Sequence, residues 1–201
     1  NIYFDGKVYK EGQDISPAEA YQLLAQAPEL WATSPGSVGD YIEAYRYLSR
    51  RYPSIACVTL SSRLSTLYDV ARLASEQAAA QIPGIKIRVM DSLSAAAGET
   101  LIALAAVRAA VAGKDLSQVV RLVEAVRDKV QVLGILETIR HVYRTGRIPR
   151  LASWMLSALN VKPLLHIAGT VNITGVDTRK ERGVKRLLAA MKAKAGRRPL
   201  R

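Results

Sequence analysis

Ile55-Ala56-Cys57-Val58-Thr59-Leu60-Ser61-Ser62-Arg63-Leu64-Ser65 holds the clearest fold signal in this chain. Residues 55–60 form an apolar run of strand length. Residues 64–80 then change to helical spacing, with Leu64, Leu67, Ala71, Ala74 and Ala78 on one face. A strand that stops at adjacent serines and feeds a helix gathers hydroxyls and free backbone N–H groups at one point. Such a point favours a phosphate or a carboxylate. Ser61 and Ser62 are therefore expected to help bind an acidic head group.

Outward from that stretch, the same alternation continues. Residues 85–90 alternate as a strand and end at Asp91-Ser92. An alanine-rich helix follows to 112, with Gly113 as its C-cap. Asp115 and Gln118 cap a helix to about 129, and 130–136 reads as another buried strand. Strands alternating with helices from 55 to 136 predict an α/β layer with a mainly parallel sheet, which binds ligands at the carboxyl ends of its strands.

Toward the N-terminus, 2–4 and 7–9 read as a hairpin about Asp5-Gly6. Ser16-Pro17-Ala18-Glu19 is a capping box opening a helix to about 27. Residues 31–37 read as a loop carrying Thr33, Ser34 and Ser37, the last capping a helix over 38–52. Beyond 136 come short helices at 138–145 and 150–159, and a hairpin of strands 161–167 and 171–176. A basic amphipathic helix over 178–195 follows, with Val184, Leu187, Leu188 and Met191 as its apolar stripe. The expected organisation is an α/β domain over 1–136 carrying the serine-lined site. A second, smaller α/β portion over 137–201 follows it.

Composition bounds the function. The chain has 201 residues, 49% hydrophobic and 23% charged, which suits a globular fold with a sizeable core. Its single cysteine, Cys57, leaves no disulfide within the chain, and a cytoplasmic location is the simplest expectation. No apolar run approaches the ~20 residues that span a bilayer. The net charge is +12. Residues 1–136 carry 14 Lys/Arg against 14 Asp/Glu, and residues 137–201 carry 15 against three. That asymmetry leaves open a module that binds nucleic acid or an anionic surface. Only Tyr143 and Trp154 are aromatic there, so stacking readout of bases has little support.

Catalytic and metal chemistry lack their signatures. His141 and His166 show no ligand spacing, and there is no second cysteine, so no metal site is expected. The Gly-x-Ser-x-Gly elbow is absent, as are both glycine-rich phosphate loops, and no cofactor or catalytic residue is expected. What remains is a set of hydroxyl donors on two loops: Thr33 and Ser34, Ser61 and Ser62. Helix capping and turn chemistry account for the same residues equally well.

Six segments carry a family resemblance. Thr33-Ser34-Pro35-Gly36-Ser37-Val38-Gly39-Asp40-Tyr41 resembles the Thr-Ser-x-Pro-Ser-x-x-Asp-Phe/Tyr segment of the DegV family. Residues 60–68 resemble its Leu-Ser-Ser-x-Leu-Ser-Gly-Thr-Tyr segment, and Asp91-Ser92 with Gly98 its Asp-Ser-x-x-x-x-x-Gly segment. Gly146-Arg147-Ile148, Lys162-Pro163-Leu164-Leu165 and Asp177-Thr178-Arg179-Lys180 are similar to three later segments, in the same order. Arg63 and Thr66 depart from the pattern, and Pro35-Gly36 reverses its usual order. The resemblance implies a two-domain α/β carrier, not an enzyme, that holds one long-chain fatty acid and presents its carboxylate to a separate fatty-acid kinase. It implies Thr33, Ser34, Ser61 and Ser62 as the head-group residues and allows transient contact with an anionic membrane surface. It also implies a strand before residue 1 and further strands after the basic helix. The chain is thus expected to be truncated at both ends, and an inactive remnant is the alternative.

Overall fold

The computed structural model describes residues 1–138, 146–148 and 161–195. The helices expected at 138–145 and 150–159 fall outside the described residues, as do His141, Tyr143 and Trp154. The chain divides into two compact units, one of residues 1–55 with 65–87, the other of 56–64 with 88–201. The expected domain limit at 136 lies inside the second unit.

In the first unit, β1 (Ile2–Phe4) and β2 (Lys7–Tyr9) form the expected antiparallel hairpin. Asp5 and Gly6 both take positive φ, 47° and 73°, as the tight two-residue turn requires. β3 (Trp31–Thr33) pairs antiparallel with the other edge of β1, giving the order β2-β1-β3. The loop expected at 31–37 thus begins as a strand. Its pairing satisfies the open edge of β1 and brings Trp31 onto the small core of Ile2, Ile15 and Ala20. α1 (Pro17–Gln26) and α2 (Val38–Ser49) both start with full capping boxes, Ser16 with Glu19 and Ser37 with Asp40.

α3 (Leu67–Gln81) buries Ala71, Ala74 and Ala78 completely. These small side chains let α2 approach closely, and the buried Tyr45 of α2 donates its hydroxyl to the Ala71 carbonyl at 3.3 Å. α3 begins three residues later than the spacing predicts, so Leu64 lies in the preceding turn. Lys10 ties the hairpin to α2 through Asp40 at 2.7 Å. The hydrogen bonds from Lys10 and Ser37 hold the Asp40 carboxyl well below the usual carboxylate range.

β4 (Ser54–Thr59) and β5 (Lys86–Asp91) are hydrogen-bonded neighbours. The Lys86 N–H donates to the Pro53 carbonyl and the Ser92 N–H to that of Thr59. The offset is the same at both ends, so the strands run parallel, and a helix follows each of them. The α/β class expected from the 55–136 alternation is realised by this pair.

The second unit packs α4 (Ala97–Val111) against α5 (Leu116–Arg127) around Met90, Ile102, Ala106, Ala109, Val119 and Val123. Asp115 and Gln118 form the predicted capping box, and Gly113 takes φ 77° just past α4. β6 (Val132–Ile135) does not extend the parallel sheet. It pairs antiparallel with β7 (Lys162–Ala168), which pairs antiparallel with β8 (Thr170–Asp177). An apolar run such as 130–136 suits either kind of sheet, and its partner lies some thirty residues downstream.

α6 (Lys180–Ala195) rests on this second sheet through the buried Gly183, beside Ile135. The expected apolar stripe of this helix is largely exposed. Val184, Leu188 and Met191 are 37%, 47% and 40% exposed, and only Leu187 of that set is half-buried. Asp177 fixes the start of α6. Its Oδ1 accepts the Thr178 and Arg179 N–H groups, and its Oδ2 faces Arg182 at 3.3 Å and Arg186 at 3.5 Å. Burial pushes this carboxyl up, but the two N–H donors and two cations outweigh it, leaving it below its ordinary value. Lys180 pairs with Glu137. Part of the basic excess of this region is therefore engaged in holding the helix.

Candidate functional site

The carboxyl ends of β4 and β5 carry a cluster of buried hydroxyl residues. Ser61, Ser92 and Ser94 are each 2% exposed or less. The Leu64 N–H donates to the Ser61 carbonyl at 2.9 Å, so Ser61 to Leu64 close a β-turn with Ser62 and Arg63 at its corners.

Three further backbone groups of that turn are held by sequence-distant segments. The Ser61 N–H donates to the Ser94 carbonyl at 3.0 Å. The Ser62 N–H donates to Asp91 Oδ1 at 3.2 Å, and the same oxygen accepts the Leu93 N–H at 2.9 Å. Arg147 Nε donates to the Leu64 carbonyl at 3.2 Å. The Ser61 hydroxyl donates to the Gly169 carbonyl at 2.5 Å and accepts the Arg63 N–H at 3.3 Å. Gly169, at the tip between β7 and β8, in turn donates its N–H to Leu93 at 2.6 Å. Its φ of 73° suits glycine there.

The two serines are thus chemically distinct. Ser61 is fully buried and its hydroxyl proton is committed to Gly169. Ser62 is exposed, and its hydroxyl makes no hydrogen bond among the described residues. Neither serine is hydrogen-bonded to a histidine among those residues. His166, on β7, keeps its Nε2 buried without a partner, and burial with the nearby Lys194 holds its pKa below the ordinary histidine value.

The Asp91-Ser92 segment turns sharply into α4. Leu93 and Ala96 take positive φ, 47° and 51°, and no side chain caps the helix. Gly98 follows because α4 enters against the wall of the site. A methyl group there would overlap Ser94 Oγ and Val132. Ser94 Oγ itself is buried with no partner among the described residues.

Thr33 and Ser34 belong to the first unit. Thr33 ends β3 opposite Ile2, is exposed, and makes no side-chain hydrogen bond among the described residues. The Ser34 hydroxyl donates to the Pro35 carbonyl at 3.0 Å and lies 3.3 Å from the Tyr3 hydroxyl. A cavity of about 240 Å³ within this unit is lined by Ile2, Ala20, Leu24 and Trp31, with Thr33 at its wall. Two of the four expected residues, Thr33 and Ser62, therefore have hydroxyls unengaged among the described residues, while the Ser34 hydroxyl is bonded to Pro35 in its own loop and that of Ser61 to Gly169. The sequence marked Ser92 as a strand end and placed Ser92 and Arg147 in family-like segments, but it assigned no role at this turn to Ser94, Gly169 or Arg147. The repeated Ser-x-Ser after Asp91 and the lone glycine between two strands were the available cues.

Among the described residues no group of three or more His, Cys, Asp and Glu is placed to hold a metal ion. No helix among them is long and apolar enough to cross a membrane.

A family model described as an uncharacterised protein of the DegV family matches residues 1–200. A DegV domain-containing protein of Caldanaerobacter subterraneus is 29% identical over 164 residues, covering 82% of this chain and 57% of that protein. One from Listeria innocua is 30% identical over 162 residues, 80% of this chain and 56% of the relative. The chain thus spans just over half the length of these relatives. Among solved structures, a stearic-acid-binding protein from Eubacterium ventriosum superimposes with a TM-score of 0.87 at 24% identity, covering 96% of this chain and 67% of its own. A fatty-acid-binding DegV family protein from Thermus thermophilus gives 0.83 at 25%, covering 98% and 70%.

Proposed function

This chain belongs to the DegV family, and from that premise we propose that it binds a long-chain fatty acid non-enzymatically and presents the carboxylate to a separate fatty-acid kinase in the cytoplasm. The observation that carries this reading is the contrast between Ser62 and its surroundings. The backbone of its loop is anchored by Asp91, Ser94 and Arg147, and the Ser61 hydroxyl by Gly169, yet the Ser62 hydroxyl is exposed and unengaged among the described residues. A rigid loop with one free donor suits a carboxylate oxygen, because little ordering is required when the ligand arrives. Thr33 is the proposed carboxylate donor of the first unit, and Ser34 and Ser61 shape the loops that carry the two donors. The apolar wall beside Thr33 suits an alkyl chain, which gains ~0.8 kcal/mol per CH₂ removed from water.

Basic residues of α6 support docking on an acidic kinase surface. The exposed Val184, Leu188 and Met191, beside Lys185 and Lys192, support transient contact with an anionic membrane surface. The engagement of Arg182, Arg186 and Lys180 in ion pairs speaks against a dedicated nucleic-acid face.

Equilibrium binding of a saturated long-chain fatty acid tests the reading. Ser62→Ala is expected to weaken binding about tenfold or more, the loss of one hydrogen bond to a charged group, with no shift in the unfolding midpoint. Thr33→Ala is expected to act in the same direction. Unchanged affinity in both variants would contradict the assignment of these donors.

A further inference from the structure

Arg63 shares the turn with Ser62. The family pattern does not call for a cation here, and nothing in the fold of the second unit requires one. The side chain is exposed and forms no ion pair among the described residues. The nearest acid on the adjoining loop is Asp91. Its Oδ1 accepts the Ser62 and Leu93 N–H groups, so its charge is directed at the backbone.

Arg63 is nevertheless not a loose surface arginine. Its N–H donates to the Ser61 hydroxyl, and its side chain lies near Gly169 at the β7–β8 tip. A Cβ built on Gly169 would stand 3.4 Å from Arg63 Cδ and 3.5 Å from Nη1. Those are ordinary contact distances, so the Arg63 side chain lies alongside the hairpin tip, where the φ of 73° at Gly169 favours glycine. The Arg63 side chain thus lies against the hairpin tip, and Arg63 directly follows Ser62 in the turn. An exposed cation with no ion pair among the described residues, next in the turn to an unengaged hydroxyl, is suited to meet an anion.

We propose that Arg63 is a specificity-determining residue that makes the Ser62 site select the ionised carboxylate of its ligand over an uncharged head group. The proposal rests on the fatty-acid reading and extends it. Arg63 adds a charge to a site otherwise built from neutral hydroxyls, so the gain appears only for a ligand that carries a negative charge. An alkyl chain ending in an alcohol meets the same hydroxyls and the same apolar walls but gains nothing from the guanidinium.

The test compares octadecanoate with octadecan-1-ol on the full chain, each displacing the same fluorescent acyl probe, for the native protein and for Arg63→Gly. The expected result is a fall of about two- to fivefold in the acid-to-alcohol affinity ratio, the range of a solvent-exposed ion pair. The alcohol's affinity and the unfolding midpoint stay as in the native protein. An unchanged ratio, or tighter acid binding once the arginine is removed, overturns the role of Arg63 while leaving the fatty-acid reading intact. Failure of the native protein to bind either ligand overturns the fatty-acid reading itself, and the role of Arg63 with it.

Discussion

Ser61 and Ser62 are neighbours with opposite duties, and burial separates them. The Ser61 hydroxyl bridges the Gly169 carbonyl and the Arg63 N–H inside the second unit, with no exposure to solvent. Its removal leaves buried polar groups without partners, which costs more than the lost bond alone. Ser61→Ala is therefore expected to lower the unfolding free energy by about 1–3 kcal/mol in a denaturant titration. Ser62→Ala should leave that titration where it is. Equal stability losses in the two variants would contradict this division of roles. Adjacent hydroxyls after a strand are legible from sequence as anion-friendly. Which of the two is spent on structure is not, because the deciding carbonyl belongs to Gly169, 108 residues away. The same separation hides the approach of Arg63 to the hairpin tip.

At the scale of elements, α4 positions the site by entering it without a cap. Its first turn fits only because Gly98 leaves room for Ser94 and Val132. Gly98→Ala is expected to destabilise the second unit by about 1–3 kcal/mol through overpacking, although alanine is the better helix former. A gain in stability would show that the helix entry relaxes freely. Features set by neighbouring residues were legible in the sequence: the N-caps at Ser16, Ser37 and Asp115, the Asp5-Gly6 turn, the C-cap at Gly113 and the alanine face of α3. Features set by remote partners were not. β3 is three residues long and exists because β1 offers it an edge. The partner of β6 is β7 rather than the parallel pair. On α6 the packed face is marked by Gly183, which adds nothing to an apolar stripe, while the aliphatic residues beside it remain exposed.

At the scale of the whole molecule, the fold and family are shared with proteins that are longer than this chain, and two of them are described as holding fatty acids. The resemblance in the sequence reached the same family because its motifs mark the turn at Ser61-Ser62, the Asp91 loop, the Arg147 brace and the hairpin strands. In the second unit these segments meet around one loop. The proposed function places a fatty-acid head group at Ser62. The measurement that tests it most directly is denaturing extraction of the purified, folded protein, incubated beforehand with mixed long-chain fatty acids, followed by mass spectrometry. The account predicts close to one fatty acid recovered per chain, reduced in Ser62→Ala. A cooperatively folded native protein that yields no fatty acid would contradict it.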